Sequence, residues 1–364
     1  MKFKVDISFV TIVAVLTVIG FAVLLSASFI MSKNDFNDPY YYLKHQLLLG
    51  GVFGVIGAVI TSFIYYRYWE KFSLVIMLLA IAGMILVFTP LGMELNGARR
   101  WVQIGSFNFQ PSELLKVASI IYLSAWISKR GKKINSWSEG YLPLLFLLVV
   151  IFVLFFFQKS MSTTIITIVS LGAIYFLSKV KMRFVFASAA IAIVGFGLFM
   201  LLGGHQMTRV MSFLGTGDQT ETRDYHINQA LIAIGSGGLT GVGYNNAVSK
   251  YSFLPEPMGD SIFAVIAQEF GFLGSSLIIG LYILLFLKGM KIAKNSPDKF
   301  SQLVVSGLIV MVTIQAFVNI AAMCKLIPLT GQPLPFMSYG GTNLAVLLTS
   351  MGIIANISKY TRKV

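Results

Sequence analysis

The chain is poor in the residues that much protein chemistry uses. Its 364 residues include one cysteine, Cys324, and three histidines. A lone cysteine excludes an intrachain disulfide. With no Cys/His cluster there is no pattern for a zinc site. Charge is scarce too: Asp, Glu, Lys and Arg make up 12% of the chain, about half the share of a soluble domain. There is no internal repeat, no low-complexity tract and no polar stretch long enough to form a soluble domain.

What fills the chain is apolar. Hydrophobic residues are 56% of it and the mean hydropathy is +0.80. Apolar runs recur near the ~20 residues that a bilayer requires. Ten are expected to span: 7–31, 45–64, 72–90, 112–127, 141–157, 161–178, 184–203, 261–287, 302–322 and 339–357. Apolar all round, they read as lipid-embedded helices. The expected fold is all-α, a single integral membrane domain over residues 1–364. The first run starts with Lys2 and Lys4, as a signal peptide would, but it is too long for the apolar core of one. It reads as a retained anchor.

Basic residues predict the orientation. With the N-terminus inside, eighteen of the 28 Lys and Arg fall on inner segments, and every inner loop is basic. Only Asp6, Glu70, Glu139 and Asp298 of the 14 acids lie inside. The net charge of +14 therefore reports topology, and no basic soluble domain exists to bind nucleic acid. Both termini are expected in the cytoplasm, with function on the outer face. The outer loops are 91–111, 204–260 and 323–338. The second is far longer than a connector requires.

The first outer loop carries Arg99, Arg100 and Trp101, then Pro111, Ser112, Glu113 and Lys116 at a helix start. The arginines read either as an interfacial belt or as a bidentate phosphate clamp. Glu113 and Lys116 share a helix face. They read as a local ion pair or as two groups lining a wet cleft, with Lys116 holding an anion. In the long loop, Arg209–Leu214 reads as amphipathic and Asp218–Asp224 as a solvated charge cluster. Gln229–Gly243 is glycine-rich, but no strand precedes it and no GK[ST] follows, so a flexible turn is the plainer reading. His205 and His226 read as ordinary loop residues.

The sharpest feature is the passage from Leu254 to Glu269. A Pro-broken loop carrying Glu256 and Asp260 runs into an apolar helix carrying Glu269. An ionisable group at membrane depth is costly, and so functional or paired. Asp260 reads as a general base or as a helix N-cap. Glu269, about 2.5 turns on, projects from nearly the opposite face and reads as a paired structural acid. The last outer loop, from Pro328 to Thr342, has three prolines and three glycines in an apolar setting. Such irregular backbone implies a protein-lined or wet cavity, expected near Asp260 and Glu113.

The strings NGARRW (96–101), QPSELLK (110–116), AIGSGGLTGVGY (233–244), LPEPMGDSIFAVIAQEFGFLG (254–274) and PLTGQPLPFMSYGGTN (328–343) resemble the SEDS family, the FtsW/RodA/SpoVE peptidoglycan polymerases. The resemblance covers nearly the whole chain, with the division branch (FtsW) favoured over the elongation branch. It implies a glycosyltransferase that polymerises lipid II at the outer face of the bacterial cytoplasmic membrane. It also implies a class B penicillin-binding protein and other division or elongation membrane proteins as partners. The family's essential aspartate falls on Asp260, and its Gln-Pro-Ser-Glu pattern on Glu113 and Lys116. Arg99, Arg100, Gln229 and Ser338 join these two as candidate substrate contacts. The chain departs from the pattern at Lys159 and Ser160, where the family often has Pro and Asp, at Gly259 for Thr, and at Lys325 for a small residue.

Lipid II presents a sugar on a diphosphate. Transfer requires a base for the acceptor hydroxyl and cationic support for the leaving group. Asp260 supplies the first. Arg99, Arg100, Lys116 or a divalent cation, Mg2+ or Mn2+, supplies the second; no cofactor is otherwise expected. Two other classes fit a ten-helix chain with broken backbone: a lipid II flippase or other transporter, and a non-catalytic scaffold for a penicillin-binding protein.

Overall fold

The computed structural model describes residues 4–95, 98–105, 107–202, 213, 221–251 and 253–361. Helix dominates. In chain order the helices of more than ten residues among the described residues are α1 (Ile7–Phe36), α2 (Tyr41–Phe63), α3 (Ser73–Leu86), α4 (Pro111–Arg130), α5 (Trp137–Phe157), α6 (Met161–Leu177), α7 (Met182–Leu202), α8 (Glu221–Ser236), α9 (Ile262–Lys294), α10 (Lys299–Met323) and α11 (Gly341–Ser358). Ten of them coincide with the ten expected spans. The eleventh, α8, lies inside the long loop.

Among the described residues six helices, α1, α2, α5, α9, α10 and α11, are long and apolar enough to cross a membrane. Shorter apolar helices are α3, α6 and the first part of α7. The chain is a multi-pass membrane protein. Helix α4 is different: Glu113, Lys116, Lys129 and Arg130 dilute its apolar face, yet most of it is buried. It packs against α3, α6 and α10, so protein rather than lipid shelters its polar groups.

Helix α10 forms the core. Leu303, Val304, Val305, Leu308, Ile309 and Val312 are buried, in contact with α9, α6 and α4. Helices α2 and α11 meet through small residues. Gly54 faces Ala345 and Leu348, Gly57 faces Thr349, and Gly352 faces Ala58. Without side chains there, the backbones approach closely, the usual way helices pair in lipid. At the basic end of the bundle, Asp298 caps α10 through Ser301 and accepts from Tyr66 at 2.7 Å. There Asp6 N–H donates to Ser358 Oγ at 3.0 Å, tying α1 to the end of α11.

Two parts of the loops expected on the outer face are ordered in ways the sequence reading did not anticipate. The first loop is a three-stranded antiparallel sheet: β1 (Gly92–Leu95), β2 (Ala98–Ile104) and β3 (Phe107–Phe109). Its β2 alternates, with Ala98 and Val102 buried and Arg99 exposed, the period-2 pattern of a half-buried strand. In the long loop, α8 covers Gln229 to Ser236, and the glycines beyond it form a turn whose backbone is hydrogen-bonded to α9, so that segment is a turn but not a flexible one. Asn96, Gly97, His205, Asp218 and, apart from Phe213, the Arg209–Leu214 stretch lie outside the described residues.

Candidate functional site

Asp260 stands at the end of a tight turn. Gly259 N–H and Ser261 N–H both donate to Glu256 O, at 3.0 and 3.3 Å. Helix α9 begins at Ile262, its N-cap is Ser261, and no side chain caps it. The capping alternative for Asp260 therefore fails: the residue precedes the cap and its carboxylate is half-buried. Its own carbonyl accepts from Asn319 Nδ2 of α10 at 2.7 Å. Ser261 is buried, donates to Pro255 O at 2.8 Å and lies 2.6 Å from His226 Nε2 on α8. Burial lowers the His226 pKa from the ordinary histidine value.

The last outer loop folds against this turn. Ser338 Oγ donates to Gly259 O at 2.6 Å and accepts from Leu334 N–H at 2.8 Å. Tyr339 N–H donates to Met258 O at 2.8 Å. Asn319 Nδ2 also donates to Gln332 O at 2.7 Å, and Gln332 Nε2 donates to Thr163 Oγ1 at 3.1 Å. Ser162 Oγ donates to Thr330 O at 2.7 Å. Gly331, at φ 62°, comes close to Asp260: a Cβ placed there would lie 3.9 Å from Asp260 Oδ2. Irregular backbone this deep must have partners. Side chains of α6, α9, α10 and α2 supply them, the last through Gln46, which bonds Ser338 O and Gly340 N–H.

Glu113 and Lys116 form an ion pair of 2.9 Å with side chains 4% and 1% exposed. The local-pair reading of their spacing holds, and they do not line an open cleft in this structure. Lys116 Nζ also donates to Gln315 Oε1 at 2.9 Å, and Gln315 Nε2 donates to Pro333 O at 3.1 Å. The pair therefore reaches the Asp260 region only through Gln315 and the last loop.

The arginines part company. Arg99 is exposed and pairs with Glu94 at 3.2 Å. Arg100 turns inward, donating to Gln158 O at 3.2 Å and Lys159 O at 2.7 Å. Burial lowers its pKa. It holds β2 to the α5–α6 turn, where Ser160 Oγ lies 2.7 Å from Thr163 Oγ1. Gln229 is half-buried on α8, three residues beyond His226 and so on the same side of the helix.

Glu269 is paired, as its isolation suggested: Lys250 Nζ lies 2.8 Å from its Oε1, with both side chains buried. Burial lowers the Lys250 pKa, and Glu269 opposes that shift. Among the described residues no three His, Cys, Asp or Glu side chains gather as a metal site. Asn319, Gln315, Gln332, Thr163 and His226 were missed by sequence reasoning. One signal was available: Gln315 and Asn319 stand four apart in an otherwise apolar helix, on one face.

The sequence profile of the family described as cell cycle protein, FtsW/RodA/SpoVE, matches residues 6–363. The chain belongs to this family. It is 33% identical to stage V sporulation protein E of Bacillus subtilis (strain 168) over 358 residues, 98% of each chain. It is 30% identical to a protein of Geobacter sp. (strain M18) named probable peptidoglycan glycosyltransferase FtsW, covering 98% of this chain and 97% of that one. Among solved structures, the rod shape determining protein RodA of Thermus thermophilus superposes with TM-score 0.72 at 24% identity, over 99% of this chain and 98% of that one. A chain of a peptidoglycan synthase complex, described for its coordination of polymerization and crosslinking, gives TM-score 0.80 at 24% identity over 97% of each. The two solved structures share the fold.

Proposed function

We propose that this FtsW/RodA/SpoVE family member is a peptidoglycan glycosyltransferase that polymerises lipid II at the outer face of the cytoplasmic membrane. The observation that carries the reading is Asp260: a half-buried acid outside the start of α9, fixed by Asn319 through its own carbonyl and by Ser338 through its neighbour's. Relatives named probable peptidoglycan glycosyltransferases align over nearly the whole chain. Asp260 takes the proton of the acceptor hydroxyl. The oxygen attacks the anomeric carbon of the lipid-linked sugar, the bond to the diphosphate breaks, and the diphosphate leaves with the electron pair. Arg99, exposed on β2 and paired with Glu94, is a candidate cation for the diphosphate; Arg100 is engaged with backbone carbonyls. Among the described residues no cluster of His, Cys, Asp or Glu forms a metal site, so magnesium or manganese would be held mainly by the substrate's own oxygens. It would neutralise the leaving group.

The basic loops support a topology with both termini in the cytoplasm and Asp260 outside. A class B penicillin-binding protein is the natural partner, a reading supported by the fold shared with a chain of a peptidoglycan synthase complex. Buried charges such as Glu113 and Lys116 also suit a carrier, so the deciding assay distinguishes the two. Purified protein, with and without a cognate class B penicillin-binding protein, is given labelled lipid II. Glycan ladders support the polymerase; leaflet exchange without ladders supports a flippase; neither supports a scaffold. Asp260→Asn should abolish the ladders, and full activity in that variant would remove the general-base role.

A further inference from the structure

Lys250 precedes Asp260 by ten residues and Glu269 follows it by nine. Their side chains meet at 2.8 Å and are 2% and 0% exposed. The adjoining residues meet as well: Ser249 Oγ donates to Gln268 Oε1, and Gln268 Nε2 donates to Ser236 Oγ of α8 at 2.9 Å. The stretch that bears Asp260 is thus closed on itself at its base. Ser26 of α1 completes the closure, accepting from Lys250 Nζ at 2.6 Å and donating to Glu269 Oε1. Lys250 gives its third proton to Asn245 Oδ1 at 2.8 Å. An ammonium has three donors, and all three are taken inside the protein. Lys250 therefore has none left for a substrate anion.

The carboxylate end is fixed from the backbone side too. Val242 N–H and Gly243 N–H donate to Gln268 O and Glu269 O, each at 3.0 Å. Between the two ends, residues 253–261 carry no helix or strand. A buried ion pair adds little net stability over an apolar pair of the same volume, so its value lies in the one arrangement it permits.

We propose that the Lys250–Glu269 pair, with Ser26, is a clasp that positions Asp260 by closing the loop that carries it. Both are positioning residues, acting through the loop backbone. The inference rests on Asp260 as the base, and the experiment separates the two. The full-length protein with its penicillin-binding partner is prepared as Glu269→Gln, Lys250→Met, the reversed pair Lys250→Glu/Glu269→Lys, and Asp260→Asn. For each, kcat and KM for lipid II are measured per folded protein, together with amide hydrogen exchange over 253–261.

Misplacing a reacting group by about 1 Å can cost about 100-fold in rate. The expected result for Glu269→Gln and Lys250→Met is a kcat lower by about 10- to 100-fold at unchanged KM, with exchange over 253–261 at least about tenfold faster. The reversed pair should recover part of both. Wild-type kcat and exchange in the single variants would overturn the clasp. So would a raised KM at unchanged kcat, or loss of folded protein in the single variants and the reversed pair alike. Asp260→Asn should keep wild-type exchange while losing activity. If it stays active, the base assignment falls, and the exchange data still judge the clasp.

Discussion

Among the described residues two ion pairs are buried, and they are built differently. Glu113 and Lys116 sit three residues apart on one helix. Lys250 and Glu269 are nineteen apart and join an outer loop to the head of α9, with α1 as a third party. The first pair is local, so α4 makes it wherever α4 forms. The second exists only when three separate parts of the chain have come together. One therefore reports secondary structure and the other reports the tertiary fold around Asp260.

The largest expected effect comes from a variant that leaves both pairs intact. Asp260→Asn should remove glycan polymerisation while the protein purifies with unchanged thermal stability. That sets the floor against which damage to either pair is measured. Next come the single removals. Taking one partner from a buried pair strands the other charge and costs about 3–5 kcal/mol. Glu269→Ala should approach that figure, read as a lower melting temperature. Glu113→Ala should cost less, because Glu269 Oε1 accepts from both Lys250 and Ser26, and its removal strands two donors from separate parts of the chain. Equal losses would erase the distinction between the pairs.

Exchanging Glu113 and Lys116 sharpens the contrast. A purely local pair tolerates reversal, so most activity should remain. Failure of the exchange to the level of the alanine variants would instead assign one of these groups a direct task in the site. The smallest effect is one of pH. His226 is held neutral by burial beside Ser261. In the unfolded chain it takes up a proton as pH falls through about 6.5. The folded pKa lies lower, so stability is lost as pH falls from about 6.5 toward that value. His226→Gln should flatten this part of the melting-temperature profile between about pH 7.5 and about pH 5.5, and an unchanged slope would clear His226 of the effect.

The same contrast explains what the sequence disclosed. Long apolar runs mark spans because lipid imposes length and composition on each segment separately. A spacing of three marks Glu113 and Lys116 because it lies within one helix. Asp260 stood out because an acid beside prolines at the head of an apolar run is costly unless used. Asn319 and His226 did not stand out. Gln315 and Asn319 share a face of α10, but their spacing does not name the loop carbonyls they bind, and one histidine in the long loop carries no sign of its partner until the chain is folded. The capping role weighed for Asp260 also failed for a tertiary reason: α9 starts two residues later, after Ser261 has been taken by Pro255 and His226. The sheet at 92–109 was hidden because alternation over a few residues is a weak signal beside the long apolar runs.

Helix α9 is broken at Gly271, which adopts φ 64° and ψ −162°. A broken helix is the usual place for a protein to bend. Here the break is sewn shut. Val242 and Gly243 donate to the carbonyls just before it, and Phe272 and Leu273 donate to Gly238 O and Leu239 O at 2.9 and 3.1 Å just after it. Gly241, at φ 82°, lies against the backbone of Glu269 and Phe270, where a side chain would collide. The two halves of α9 and the strip 238–243 are thus one rigid corner rather than a hinge. Any opening motion that admits the proposed lipid substrate must carry this corner as a unit, and the give must come from segments outside it.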